Sequence, residues 1–78
     1  MFKVSVLDIK TASPIFQELV SSVVLPGEEG ELSILDFHQS IISCLKDGMI
    51  KIDNTPPIAI KSGIAKMQGD ELVVLVER

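Results

Sequence analysis

Ser33-Ile34-Leu35-Asp36-Phe37-His38-Gln39-Ser40-Ile41-Ile42-Ser43-Cys44-Leu45 is the stretch whose conformation decides the fold. Ile34, Phe37, Ile41 and Leu45 recur at helical spacing, and Leu35 with Ile42 widens the stripe, so periodicity alone predicts a helix over Ser33 to Leu45. Two features oppose that reading. Ser40, Ile41, Ile42, Ser43 and Cys44 are residues of modest helix propensity. The segments on both sides, moreover, carry the pattern of extended chain.

On the N-terminal side, Phe2, Val4 and Val6 alternate with Lys3 and Ser5, a period of two that turns one face to a core and the other to water. Val20, Val23 and Val24 predict a second strand from Leu19 to Leu25, which Pro26-Gly27 ends in a turn. Glu28-Glu29-Gly30-Glu31 is too acidic to pack and reads as a solvated loop leading into Leu32-Ser33-Ile34. On the C-terminal side, Lys46-Asp47-Gly48 is a turn triplet, after which Ile50 and Ile52 alternate with Met49, Lys51 and Asp53. Asn54-Thr55-Pro56-Pro57 closes that strand, because consecutive prolines donate nothing to a ladder, and Ile58-Ala59-Ile60-Lys61 resumes it as a hairpin. Ser62-Gly63 marks a bend or bulge, Ile64 to Met67 a short strand, Gln68-Gly69-Asp70 a turn, and the aliphatic run Leu72 to Val76 a strand at the centre of a sheet. Short strands at regular turn spacing predict an all-β fold, a small β-sandwich or flattened barrel.

With 78 residues, 46% of them hydrophobic, and no low-complexity tract or repeat, residues 1–78 read as one domain with a thin aliphatic core. The net charge of −4 opposes a phosphate backbone, and three phenylalanines with no Trp or Tyr give bases little to stack on, which argues against nucleic acid. Asp8 interrupts the N-terminal apolar pattern that a signal peptide requires, and no stretch approaches the roughly 20 apolar residues of a membrane span. One cysteine excludes an internal disulfide and accords with a reducing compartment such as the cytoplasm.

No catalytic, cofactor-binding or metal-ligating residue is assigned. His38 is the only histidine and lacks companions at the spacing of a zinc site or an acid–base pair; its best functional reading is a contact with a protein partner. Cys44, with no neighbouring base, reads as a small buried hydrophobe. The acidic loop lacks the alternating oxygen ligands of an EF-hand, and Glu29 and Glu31 instead suit a basic or polar loop on a partner. Lys66-Met67 has a distant counterpart in the modified lysine of biotinyl and lipoyl carrier domains, but those present the lysine on a tight turn, whereas Lys66 falls in the approaching strand. A phosphate-cradling glycine loop is also absent.

The run from Gly27 to Ile42 resembles the signature stretch of the epsilon subunit of F-type ATP synthase, whose typical order is Gly, acidic, Gly-Glu-Leu-Gly-Ile, Pro-Gly-His, Pro-Leu-Leu. The spacing is kept throughout. Lys46-Asp47-Gly48-Met49-Ile50-Lys51-Ile52 is similar to the turn and strand that follow in that family, and Ser62-Gly63-Ile64-Ala65-Lys66-Met67 to its Gly-Gly-Ile segment. Ser33, Phe37 and Ser62 stand where the family has Gly, and Asp36 and Ser40 where it has Pro.

The resemblance implies a β-sandwich of about ten short strands, with Ser33 to Leu45 extended rather than helical, and without the family's two C-terminal helices, since Glu77-Arg78 falls where the sandwich would finish. It implies a rotor subunit of the central stalk, without chemistry of its own, that links the gamma subunit to the membrane-embedded c-ring. Carried over by position, Glu29 and Glu31 face the c-ring, and Lys10, His38 and Ser43 face gamma. The same resemblance implies a cytoplasmic location, peripheral on the inner membrane through the complex. Absence of the helices implies neither ATP binding nor inhibition of hydrolysis.

Overall fold

The computed structural model describes residues 1–35 and 40–78. Among the described residues there are nine strands and no helix: β1 (Phe2–Asp8), β2 (Pro14–Val20), β3 (Val23–Gly27), β4 (Gly30–Ile34), β5 (Ile41–Leu45), β6 (Gly48–Ile52), β7 (Ile58–Ile60), β8 (Ser62–Gln68) and β9 (Glu71–Glu77). They form one continuous ladder in the order β2-β1-β9-β8-β5-β3-β6-β7, with β4 paired to β3. The ladder curls at the β5–β3 junction, where a single pairing of Gly27 with Leu45 joins the two halves. The halves face each other across one core, which is the sandwich expected from the alternating sequence.

Most strands contribute alternate residues to that core. Phe2, Val4 and Val6 of β1 meet Leu72, Val74 and Val76 of β9, Ala65 and Met67 of β8, and Leu45 of β5. The opposite half supplies Val23 and Leu25 of β3, Ile50 and Ile52 of β6, Ile34 and Ile60. β1 and β9 run parallel, with Val4 beside Leu72 and Val6 beside Val74, so the two ends of the chain close the first half.

Four expectations are corrected. The strand over Leu19–Leu25 is two strands, because Asp53 binds the amides of Ser21 and Ser22 and turns the chain from one half into the other. The acidic turn is shorter than expected: Gly27 pairs with Gly30, leaving Glu28-Glu29 as a two-residue connection and placing Glu31 within a strand. No bulge occurs at Ser62-Gly63, where the register with β9 is regular and Gly63 instead allows close packing. Cys44 is exposed rather than buried, because it shares the outward face of β5 with Ile42. The helical periodicity gives way to β4 and β5; Asp36 to Gln39 lie outside the described residues.

Candidate functional site

Alternation that fills the core turns the other face of most strands outward, and across β5, β8 and β9 much of that face is aliphatic. Ile42 of β5 is 74% exposed and Ile64 of β8 44% exposed, large values for isoleucine on regular strands. The register sets Ile64 between Cys44 and Leu75, and Lys66 between Ile42 and Val73. The run Leu72 to Val76 lies inside the sheet as expected, between β1 and β8, and Val73 and Leu75 on its outward face are half-buried. A depression of about 450 Å³ opens among Ile64, Lys66, Glu71, Val73 and Leu75. This plate went unread in the sequence, yet its signal was present: an aliphatic run in a two-layer fold can bury only one of its faces internally.

At the β5–β3 junction lies the second feature. The β3–β4 hairpin carries Glu28, Glu29 and Glu31, all exposed. Glu28 N–H donates to the Cys44 carbonyl at 3.0 Å and Lys46 N–H to the Pro26 carbonyl at 2.9 Å, so the acidic tip is fastened to β5 and to the turn after it. Between the tip and β5 is a hollow of about 370 Å³, lined by Gly27 to Leu32 with Ser43 and Cys44.

That hollow brings together Glu29, Glu31 and Ser43. Ser43 is half-buried in β5, its hydroxyl 3.4 Å from the Cys44 carbonyl. Lys10 stands elsewhere, in the turn after β1, where Asp8 Oδ1 accepts its backbone N–H at 2.8 Å and Glu77 approaches its Nζ at 3.7 Å. Along the ladder Gly27, Leu45, Gly63, Val76 and Asp8 form one row. Four steps of about 4.8 Å therefore separate the tip from the Lys10 turn within the sheet. His38 lies outside the described residues.

Among the described residues no group of three His, Cys, Asp or Glu converges as a metal site would require, and no buried side-chain polar atom lacks a partner. Lys66 sits in mid-strand, paired on both sides, rather than on the exposed turn that a carrier lysine occupies. What the geometry offers is contact: an apolar plate, and a stiff charged tip beside it.

Comparison with known proteins gives a consistent picture. The ATP synthase, Delta/Epsilon chain, beta-sandwich domain family matches residues 2–78. The ATP synthase epsilon chain of Campylobacter curvus (strain 525.92) is 45% identical over 67 residues, covering 81% of this chain and 52% of the relative. That of Campylobacter jejuni subsp. jejuni (strain 81-176) is 43% identical over the same coverage. The chain spans about half the length of the curated relatives it matches. Among solved structures, a chain in the cryo-EM structure of the central stalk and c-ring of Tetrahymena thermophila mitochondrial ATP synthase superposes with a TM-score of 0.81 at 14% identity. The match covers 97% of this chain and 63% of that one, a likeness of fold.

Proposed function

Because the chain belongs to the family of ATP synthase delta/epsilon chain β-sandwich domains, we propose that it is a non-catalytic subunit of the central stalk of a proton-translocating F-type synthase, seated between gamma and the c-ring. The observation that carries this reading is the apolar plate of Ile42, Ile64, Val73 and Leu75 on the outside of so small a domain. Solvent-facing aliphatic area of this kind marks a protein interface, and the fastened acidic tip supplies the charge that sets orientation on a second partner. A subunit that transmits torque needs rigid surfaces more than reactive groups, and the parallel β1–β9 pairing ties the two ends of this chain into one continuous ladder.

In this reading Glu29 and Glu31 turn toward polar loops of the c-ring, Lys10 and His38 belong to the side that meets gamma, and Ser43, in the same hollow as the two glutamates, meets gamma where the two contacts adjoin. The subunit is held at the cytoplasmic face of the membrane through the complex; among the described residues no helix is long and apolar enough to cross a bilayer.

Reversing the charge at Glu31 tests the c-ring contact. In inverted vesicles carrying the assembled synthase, Glu31→Lys is expected to lower ATP-driven proton pumping several-fold while ATP hydrolysis persists. Because Glu31 is exposed, the melting of the chain should not change. Normal pumping by the variant would overturn the assignment of this loop to the c-ring.

A further inference from the structure

The outer face of the second half carries a groove beside the acidic tip, and its charge is of the opposite sign. Pro26 of β3 lies across from Glu31 of β4, and Val24, two residues before it, lies across from Lys51 of β6. Pro26, Glu31 and Lys51, together with Lys46 and Met49, line a hollow of about 380 Å³. Its floor is stiff. The Lys46 amide is bonded to the Pro26 carbonyl at 2.9 Å, and Gly48 packs so closely on Pro26 that a Cβ there would stand 2.9 Å from the proline Cβ. Met49 is 51% exposed and offers an apolar patch next to the proline ring.

Two lysines of the other half are engaged: Lys3 lies 3.9 Å from Glu71 and Lys10 lies 3.7 Å from Glu77. Lys46, Lys51 and Glu31 share one hollow, yet among the described residues none of them makes an ion pair. Two cations around an apolar floor, with one carboxylate at the lip, complement a carboxylate carried next to an aliphatic side chain.

We infer that this groove receives an acidic residue of a c-ring polar loop, so that the loop is read by both signs of charge: its basic part by Glu29 and Glu31, and its carboxylate by Lys46 and Lys51. The inference rests on the proposed contact between the tip and the c-ring. A loop of uniformly positive charge would satisfy the tip and be repelled by the lysines, so the pair of surfaces selects a partner and fixes its register.

The test uses the assembled synthase in inverted vesicles, with Lys46→Glu/Lys51→Glu, Lys46→Gln/Lys51→Gln and Glu31→Lys compared. The charge-reversed double variant is expected to lower ATP-driven pumping at least threefold at low salt, with the neutral pair intermediate and the chain retained in the enzyme. One acidic residue of the c-ring loop, replaced by lysine, should then restore pumping to the charge-reversed enzyme. If both double variants pump normally while Glu31→Lys does not, or if no replacement in the loop restores pumping, the groove is overturned and the reading of the tip stands. If Glu31→Lys also pumps normally, both fall together.

Discussion

Asp53 holds a backbone φ of 42°, a region that Asp tolerates better than most residues but still at a cost. What it gains is a clamp. Its carboxylate accepts the Ser21 amide at 3.0 Å and the Ser22 amide at 2.8 Å, with the Ser22 hydroxyl at 3.1 Å, and its own N–H donates back to the Ser22 carbonyl at 3.1 Å. The Ser21 amide contributes most to holding this carboxyl below its ordinary value of 3.8; the Ser22 amide and hydroxyl add to it against an opposing desolvation. A folded-state pKa below the unfolded one means that the native protein binds fewer protons, so the stabilisation is complete above the ordinary range and is lost as pH falls through the lowered value. Thermal melts of Asp53→Asn from pH 7 to pH 2 should show a lower Tm at neutral pH and a weaker acid dependence below pH 4 than the parent; parallel curves would exclude the clamp. Gly63 makes the complementary point, since its φ is ordinary and only space is at stake. A Cβ there would stand 2.6 Å from the Leu75 carbonyl oxygen, so Gly63→Ala should cost about 1–3 kcal/mol by denaturant melting. A change within error would show that β9 yields easily.

The β3–β4 hairpin shows what a local pattern conveys at the scale of an element. Pro26-Gly27 and the acidic run announced a turn, but its position shifted by two residues. The glycines proved to be the facing pair rather than the turn itself. Neither Glu28 nor Glu29 has positive φ, so the connection cannot be one of the primed turns that suit hairpin twist, and Gly30 at φ 134° absorbs the mismatch. A Cβ at Gly30 meets nothing within 4 Å, so Gly30→Ala isolates backbone strain, expected to cost about 1–3 kcal/mol. Hydrogen exchange confined to Glu28 to Glu31 should rise with it; if stability and exchange stayed unchanged, the strain argument would fail. β6 was legible because Ile50 and Ile52 alternate with exposed neighbours, and β1 because Phe2, Val4 and Val6 alternate with Lys3 and Ser5, although Ser5 is buried beneath Gln17 rather than in water. β2 was not, since Pro14 to Glu18 lies at an edge and buries too little to impose alternation. Ser33 to Leu45 has a helical spacing that its low helix propensity and extended flanks outweigh, and β4 and β5 are the strands that form there.

For the whole molecule, the sandwich class was recoverable from alternation and turn spacing, but the parallel β1–β9 pairing was not. It joins residues about seventy positions apart, and neither end contains a signal for its partner. The surfaces were legible in unequal measure. Glu29 and Glu31 announce themselves as charge in a loop, whereas the plate emerges only once β5, β8 and β9 are set side by side and Ile42, Ile64, Val73 and Leu75 fall on one face. In the neighbouring groove Lys46, Met49 and Lys51 lie close in sequence, and it is the pairing of β3 with β4 and β6 that sets Pro26 and Glu31 beside them. A domain of this size with an apolar exterior is built to be covered, and the proposed covering is the rest of a rotor. The most direct measurement is affinity purification of the tagged full chain from membranes of its own cells, beside an Ile64→Arg variant that leaves the core intact, with bound subunits quantified by mass spectrometry. Gamma and the c subunit are expected with the parent chain, and severalfold less gamma with the variant. Recovery of the parent without either subunit would contradict a place in the rotor.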